Sequence, residues 1–352
     1  MDKSINKKER VQRDYQEELT LKFILRIEEA LADSEKGLKW QKPFFTCEEL
    51  PRNALTGDKY SGCNIVALLS EDWTDPRWMT FMQIGELGRK LGKKLYVAGG
   101  QRASFVMKTI PVYQKDEEGE VIKDSKGKPI PVCHKDGSPK IAFKWYAVFN
   151  AGQIAGGMDP YIKPERVVKP NEAVEQLAAA LVDRTGLKIT HSERGRAFYS
   201  KSSHTVHMPE RHLFESDEGY ADCLLHELTH STGPALNRDM TGRFGEESYA
   251  FEELVAQLGS VFMAKELGVP YDMSAHENSA AYLKSWLSTL KMDKNFLMRA
   301  SAQASESVKF QLDHLSKFRA APSEIPTPEP SIKMSEPEMV AALKPAAMRL
   351  GM

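Results

Sequence analysis

The sequence predicts an α+β protein of two domains, and three observations predict it. An amphipathic helix opens the chain and leads into a long run of turns and short apolar segments. Gly156, Gly157, Pro160, Pro164 and Pro170 then punctuate the chain before a helix–strand–strand–strand–helix order begins. Within that second half, His226-Glu227-Leu228-Thr229-His230 lies inside a helical pattern. The domains are therefore expected at 1–156 and 165–319, with a solvated tail over 320–352 where Pro, Glu, Ser and Met accumulate.

Taking the elements in order, apolar spacing at Leu19, Phe23, Ile24, Ile27, Ala30 and Leu31 predicts a helix over 14–36, closed by Gly37. Strands are expected near 95–97, 104–108 and 141–149, and one helix at 80–91 interrupts them. Between residues 110 and 140 a crude unit recurs as Lys115-Asp116 with Gly119, Lys123-Asp124 with Gly127, and Lys135-Asp136-Gly137. Turn chemistry of this kind predicts a meander of exposed hairpins inserted into the first domain. In the second domain the pattern predicts a helix at 171–185, strands near 187–191, 197–199 and 205–208, the histidine helix, and helices at about 246–267, 275–291 and 294–318.

The chain has 352 residues, of which 41% are hydrophobic and 28% charged, an ordinary globular composition with room for two cores. The charged amino terminus lacks a secretory signal and no stretch resembles a membrane span, so a cytoplasmic protein without a membrane partner is expected. Cys47, Cys63, Cys133 and Cys223 are scattered without a C-x-x-C pair, which argues for reduced thiols rather than a disulfide framework or zinc ribbon. Net charge is −1, yet residues 1–150 carry an excess of about +4 and the remainder about −5. That asymmetry allows a polyanionic partner for the first half.

Two imidazoles four residues apart on a helix lie about 6 Å from each other on one face, close enough to share one zinc ion. Ser216 is placed to cap this helix, Asp217 and Glu218 suit its first turn, and Gly233-Pro234 ends it. With His226 and His230 as ligands, Glu227 falls beside the ion, where it can act as a general base toward water. The third ligand is Glu252 or Glu253. Periodicity does not separate them, because they flank the stripe Phe251, Leu254, Leu258 and Val261 from opposite sides. We favour Glu253, which shares a face with Tyr249, Ala256 and Ser260 and has Gln257 one turn on; Glu252 remains the competitor. His204 and His207 point to opposite faces of a strand and are read as ordinary strand residues, and Cys223 as a small buried thiol. Tyr199 and Tyr249 are within the range of residues that stabilise a tetrahedral intermediate, although amphipathic packing explains them as well.

In the first half, aromatic residues alternate with Lys and Arg, as single-strand binding requires, but a core with a solvated cationic face explains the same composition. The motifs go further. Trp40-Gln-Lys42-Pro43-Phe44, Asn53-Ala-Leu-Thr56-Gly57, Tyr60-Ser-Gly62-Cys-Asn64, Trp78-Met-Thr80 with Gln83 and Gly88, and Val148-Phe149-Asn150 with Gln153 and Gly156 resemble the amino-terminal domain of ArdC-type antirestriction proteins. Tyr199-Ser200, Met208-Pro209, Phe214, Tyr220, the His226 to His230 motif, Thr232-Gly233, Phe244-Gly245, Tyr249-Ala250, Glu252-Glu253-Leu-Val-Ala256 and Trp286-Leu287 resemble that family's zincin-like metallopeptidase domain. The likeness covers about residues 15–318. It implies a mixed α+β domain that binds single-stranded DNA, with the hairpin region inserted, followed by a gluzincin-like peptidase domain. The setting it implies is a plasmid, phage or other mobile element that shields incoming DNA from host restriction.

On that resemblance the expected ion is Zn(II), with another divalent ion such as Mn(II) as the alternative, and the expected partners are single-stranded DNA and an unidentified host restriction or defence protein as substrate. The candidate DNA contacts are Trp40, Lys42, Phe44, Asn53, Tyr60, Asn64, Trp78 and Arg102. The rival reading is a DNA-shielding protein whose metal site is structural or vestigial. Two departures stand out. Ala98-Gly99-Gly100-Gln101 replaces a basic Lys-Gly-Glu turn usual in the family, and Gln257 stands where a Glu is usual.

Overall fold

The computed structural model describes residues 14–35, 49–71, 73–162, 170–194, 196–214, 216–242, 246–270, 279–293 and 295–321. Trp40, Lys42, Phe44, Cys47, Phe244 and Gly245, and the tail after residue 321, lie outside them.

The first half begins with α1 (Tyr15–Glu35), then β1 (Arg52–Asn53), α2 (Cys63–Leu69), β2 (Arg77–Thr80), α3 (Phe81–Leu91), β3 (Tyr96–Val97), β4 (Ser104–Pro111), β5 (Ile141–Asn150) and β6 (Ile154–Ala155). Its main sheet runs β1-β2-β5-β4, with β1 parallel to β2 and the other pairs antiparallel, while β3 and β6 form a separate pair. Helix α3 starts where expected because Thr80 and Gln83 form a reciprocal cap: Gln83 N donates to Thr80 Oγ1 at 3.3 Å and Thr80 N to Gln83 Oε1 at 2.9 Å. Helix α2 was not expected. It has only seven residues, its N-cap is Gly62 with no side-chain bond, and five of its residues are buried, so neither a cap nor an amphipathic stripe announces it.

The inserted segment differs from a flat meander. Val112 N donates to Lys140 O, Lys140 N to Val132 O and Val132 N to Val112 O, which closes a ring of three main-chain bonds. A second ring links Gln114, Ile130 and Ile122 in the same way. Three short hairpins thus surround a common axis, and each inner strand edge is paired by the next hairpin rather than left open. The tips carry Gly119, Gly127 and Gly137 at φ of 87°, 76° and 85°, the left-handed region in which a side chain is strained. Asp116, Asp124 and Asp136 accept main-chain N–H bonds within their own turns.

The second half contains α4 (Pro170–Thr185), β7 (Lys188–Ser192), β8 (Phe198–Ser200), β9 (Thr205–Pro209), α5 (Asp217–Ser231), α6 (Glu247–Leu267), α7 (Ser279–Met292) and α8 (Phe296–Ala320). The sheet order is β7-β9-β8, with β7 parallel and β8 antiparallel to β9. Together the two halves make a mixed α+β molecule. The largest core is shared between them: Leu19, Phe23 and Ile27 of α1 and Ile65, Val66 and Leu69 of α2 join Leu177, Leu225, Leu254, Phe262 and Leu297. Helix α8 is the seam, since Ser305 Oγ accepts the Gly62 N–H at 2.7 Å while the same helix packs on α4 and α6. Cys63, Cys133 and Cys223 are in no disulfide, and burial pushes the Cys63 thiol up to about 11, which keeps it unreactive. Cys223 is half-buried rather than enclosed. Among the described residues no helix is long and apolar enough to cross a membrane.

Candidate metal centre

Helix α5 is fixed at its start by Ser216, whose Oγ accepts the Gly219 N–H at 3.0 Å, with Asp217 and Glu218 in the positive first turn. Leu224, Leu225 and Leu228 drive it into the core, so nearly its whole length is buried and His226, Glu227 and His230 are carried inward. Helix α6 lies against it at very close range. A Cβ on Gly259 would stand 2.5 Å from Thr229 Cγ2, so this glycine sets how near the two helices come. The approach brings Glu252 and Glu253, both buried, up to the histidines.

The imidazole Nε2 atoms of His226 and His230 are 3.2 Å apart. Glu253 Oε2 is 3.4 Å from His226 Nε2, and Glu253 Oε1 is 3.7 Å from His230 Nε2. Three ligands at about 2.0–2.1 Å from a tetrahedral ion stand roughly 3.3–3.4 Å from one another. The three residues therefore fit a divalent cation both in donor chemistry and in spacing, and they are the group of His, Cys, Asp or Glu that converges this way among the described residues.

Glu252 does something else. Its Oε1 faces His230 Nδ1 at 2.9 Å, and Arg238 grips the same carboxylate with Nε at 2.9 Å and Nη2 at 2.8 Å. Adjacent in sequence, the two glutamates thus face different atoms of one imidazole. A carboxylate on Nδ1–H leaves the Nε2 lone pair for an ion.

The charges explain why a cation suits this place. Glu227, Glu252 and Glu253 can carry three negative charges against the single positive charge of Arg238, which leaves a surplus of two when the imidazoles are neutral. Without an ion the surplus acts on His230: burial alone would depress its pKa, but Glu252 at Nδ1 and the charges of Glu253 and Glu227 overcome this and raise it to about 9. Burial likewise opposes ionisation of Glu253, yet the His226 hydrogen bond, the charges of both imidazoles and a hydrogen bond from Tyr249 hold it at about 2. Glu252 is lowered against its burial by His230 and Arg238. Glu227 goes the other way. Burial dominates and raises its pKa, with the imidazoles and the Tyr199 main-chain N–H only partly compensating.

Other sequence candidates have local partners. Tyr199 OH lies 2.8 Å from His204 Nδ1, and His207 Nδ1 is 2.9 Å from Thr190 Oγ1. Gln257 is buried one turn beyond Glu253. Arg238, which sequence reasoning missed, has no signal beyond being a cation shortly after the end of the histidine helix.

The proposed DNA contacts of the first half are placed as follows. Asn53 Oδ1 accepts the N–H groups of Leu55 and Thr56 at 2.9 and 3.1 Å while its Nδ2 donates to Gln83, so its side chain holds a turn. Asn64 exchanges two bonds with the Met107 main chain, at 2.8 and 2.7 Å, and thereby extends the edge of β4. Trp78 is 1% exposed, and as folded its ring offers no face to a base. Tyr60 is half-buried, with its phenol pKa raised by desolvation, and Arg102 is exposed. Among the described residues, the large rings that face solvent here are Phe81 at 70%, Phe143 at 54%, Tyr96 at 53% and Tyr113 at 36% exposure.

Fold and site define a class: an N-terminal α+β domain joined to a zincin-like domain whose candidate metal ligands lie on two helices. Residues 13–149 match the N-terminal domain of the anti-restriction factor ArdC, and residues 176–303 match a zincin-like metallopeptidase family. The metal-free crystal structure of the antirestriction protein ArdC from plasmid R388 aligns with a TM-score of 0.63 and 30% identity, covering 87% of this chain and 99% of that one. This chain belongs to the ArdC antirestriction family. The Mn(II)-bound structure of the same R388 protein aligns with a TM-score of 0.59 at 29% identity, over 87% of this chain and 99% of that one. DNA primase TraC of Escherichia coli is 34% identical over 281 residues, which is 78% of this chain but 25% of TraC. The chain therefore spans about a quarter of that relative's length.

Proposed function

We propose that this chain is an antirestriction protein of a mobile element, whose first half binds single-stranded DNA and whose His226, His230 and Glu253 hold Zn(II) or Mn(II) for peptide hydrolysis. The observation that carries the hydrolase part is the convergence of these three ligand atoms beside Glu227. The Mn(II)-bound structure of the R388 relative supports a divalent ion for this chain. When bound, such an ion would polarise a carbonyl and acidify a water. Glu227, buried beside the three candidate ligands, accepts the water's proton and is placed to return it to the leaving amine. Glu252 holds His230 in the tautomer that directs Nε2 inward.

Replacing Glu227 by Gln tests this. The variant should retain its ion, measured as metal content after dialysis, and lose about 10²- to 10⁴-fold of its cleavage rate on a peptide library. Undiminished cleavage would remove Glu227 from the mechanism.

A second reading has its own support. His226, Glu227, His230 and Glu253 are each under a tenth exposed, so little of the set faces solvent. On this reading DNA shielding is the working function, and the Glu227→Gln protein would protect DNA in a restriction assay as well as the parent does. For the DNA-binding half, the exposed Phe81, Tyr96 and Phe143 and the cations Arg102, Lys108 and Lys144 are among the groups available for bases and phosphates. Binding should then weaken with salt at a log–log slope of about −0.7 per phosphate contacted.

A further inference from the structure

We propose that Arg238 is a positioning residue of the metal centre, which sorts the twin glutamates and so sets the affinity of the site for its cation. The inference rests on the ligand assignment of His226, His230 and Glu253.

Arg238 lies outside both helices that supply those ligands, and it is 6% exposed. The loop that carries it is already shaped: Leu236 N donates to Thr232 O, Arg238 N to Gly233 O, and Asn237 takes φ of 54°, a left-handed conformation that asparagine tolerates. The guanidinium is turned back under the end of α5. Nη2 donates to Thr229 O at 2.8 Å, and Nη1 donates to Thr232 Oγ1 at 2.7 Å and to Ser307 Oγ at 2.6 Å. The remaining reach of the fork, through Nε and Nη2, takes both oxygens of Glu252. Arg238 therefore ties α5, α6 and α8 together around one carboxylate.

The consequence follows from Glu252 and Glu253 being neighbours on α6. Either carboxylate has the chemistry of the third ligand. Arg238 holds Glu252 on the Nδ1 side of His230, where it fixes the ring and its tautomer, and this leaves Glu253 alone on the Nε2 side. Two effects of the arginine oppose each other. Its charge repels a cation, so charge alone predicts that removing Arg238 tightens binding. Its geometry orients a ligand, so geometry predicts that removal weakens binding. A lysine keeps the charge and loses the bidentate fork, so Arg238→Lys separates the two.

The experiment uses the full chain, stripped of metal with a chelator and titrated calorimetrically with Mn(II) and Zn(II), with thermal unfolding of each metal-free protein alongside. Arg238→Lys is expected to weaken binding by about 10- to 100-fold. Lysine and methionine variants that bind the ion as tightly as the parent, or more tightly, overturn the proposal. So does a variant whose metal-free unfolding temperature falls while its metal affinity is unchanged, since that is the mark of a merely structural arginine. If Arg238→Lys does not fold, Ser307→Ala decides: it keeps the arginine and removes its α8 anchor, so weaker metal binding at an unchanged metal-free unfolding temperature supports the role and unchanged affinity refutes it. His226→Ala is the control for the ligand assignment. A parent chain that takes up no ion, or a His226→Ala protein that binds equally well, sinks the assignment and the inference together; normal parent binding with loss in His226→Ala confines any failure to Arg238.

Discussion

The two halves of the molecule bury polar side chains for opposite purposes. In the first half, the buried Asn150 and Gln153 and the half-buried Asn53 and Asn64 give most of their amide bonds to main-chain groups: Asn150 Nδ2 donates to Asp75 O at 2.8 Å, and Gln153 Nε2 donates to Arg102 O at 2.8 Å. These amides are neutral, and they act as substitutes for the secondary structure that the loops lack. In the second half, buried carboxylates and imidazoles converge on one another and leave charge uncompensated. Burial of a polar group therefore does not by itself mark function. Convergence and unbalanced charge do.

Three substitutions can break or sharpen this contrast. The largest effect is expected from Trp78→Ala, which removes a fully enclosed ring from the small core of Leu68, Val106 and Val148 and should cost about 3–5 kcal/mol in chemical denaturation. A small cost, together with weaker DNA binding by the folded protein, would return Trp78 to the list of nucleic-acid contacts. Next is Gly259→Ala. The added methyl must push Thr229 away, so we expect about 1–3 kcal/mol of destabilisation and a wider spacing of α5 and α6 that lowers metal affinity in the same protein. Unaltered metal affinity would show that the ligand triangle does not depend on this contact. The smallest effect on the fold is expected from Phe81→Ala at the exposed start of α3, within about 0.5 kcal/mol of the parent in stability. Its affinity for single-stranded DNA, measured by fluorescence anisotropy, should nevertheless fall by about 1–3 kcal/mol if the ring stacks on a base. Equal affinity would exclude Phe81 from the contact surface.

How much of this was legible in the sequence depended on how local the cause is. Helix α5 is announced locally, since Ser216, Asp217 and Glu218 at one end and Gly233-Pro234 at the other lie at or just beyond the ends of the segment they delimit. The candidate third ligand was legible only in part. Glu252 and Glu253 differ by about 100° around α6, and which of them faces Nε2 depends on how α6 docks, including the Gly259–Thr229 contact seven and six residues further along the chain from Glu252 and Glu253. Arg238 was illegible because its partners come from three separate helices. In the first half, Asn53, Asn64, Gln83, Asn150 and Gln153 stood out as an ordered motif series, and their roles in turns and caps give that order a structural cause. The closed hairpin rings were hidden for a different reason. Turn residues reveal each bend, but the bonds that join the hairpins into a ring link residues such as Val112 and Lys140, and no local periodicity records them.

Those rings make the inserted segment a cassette. Its two ends are already hydrogen-bonded where it leaves and re-enters, through Val112 N to Lys140 O, directly beyond the last β4–β5 pair at Pro111 and Ile141. A short turn can bridge the same gap. Loss or exchange of the whole 112–140 stretch would leave the supporting ladder in register, so the length of the chain can change here without retuning either the core or the candidate ligand triangle.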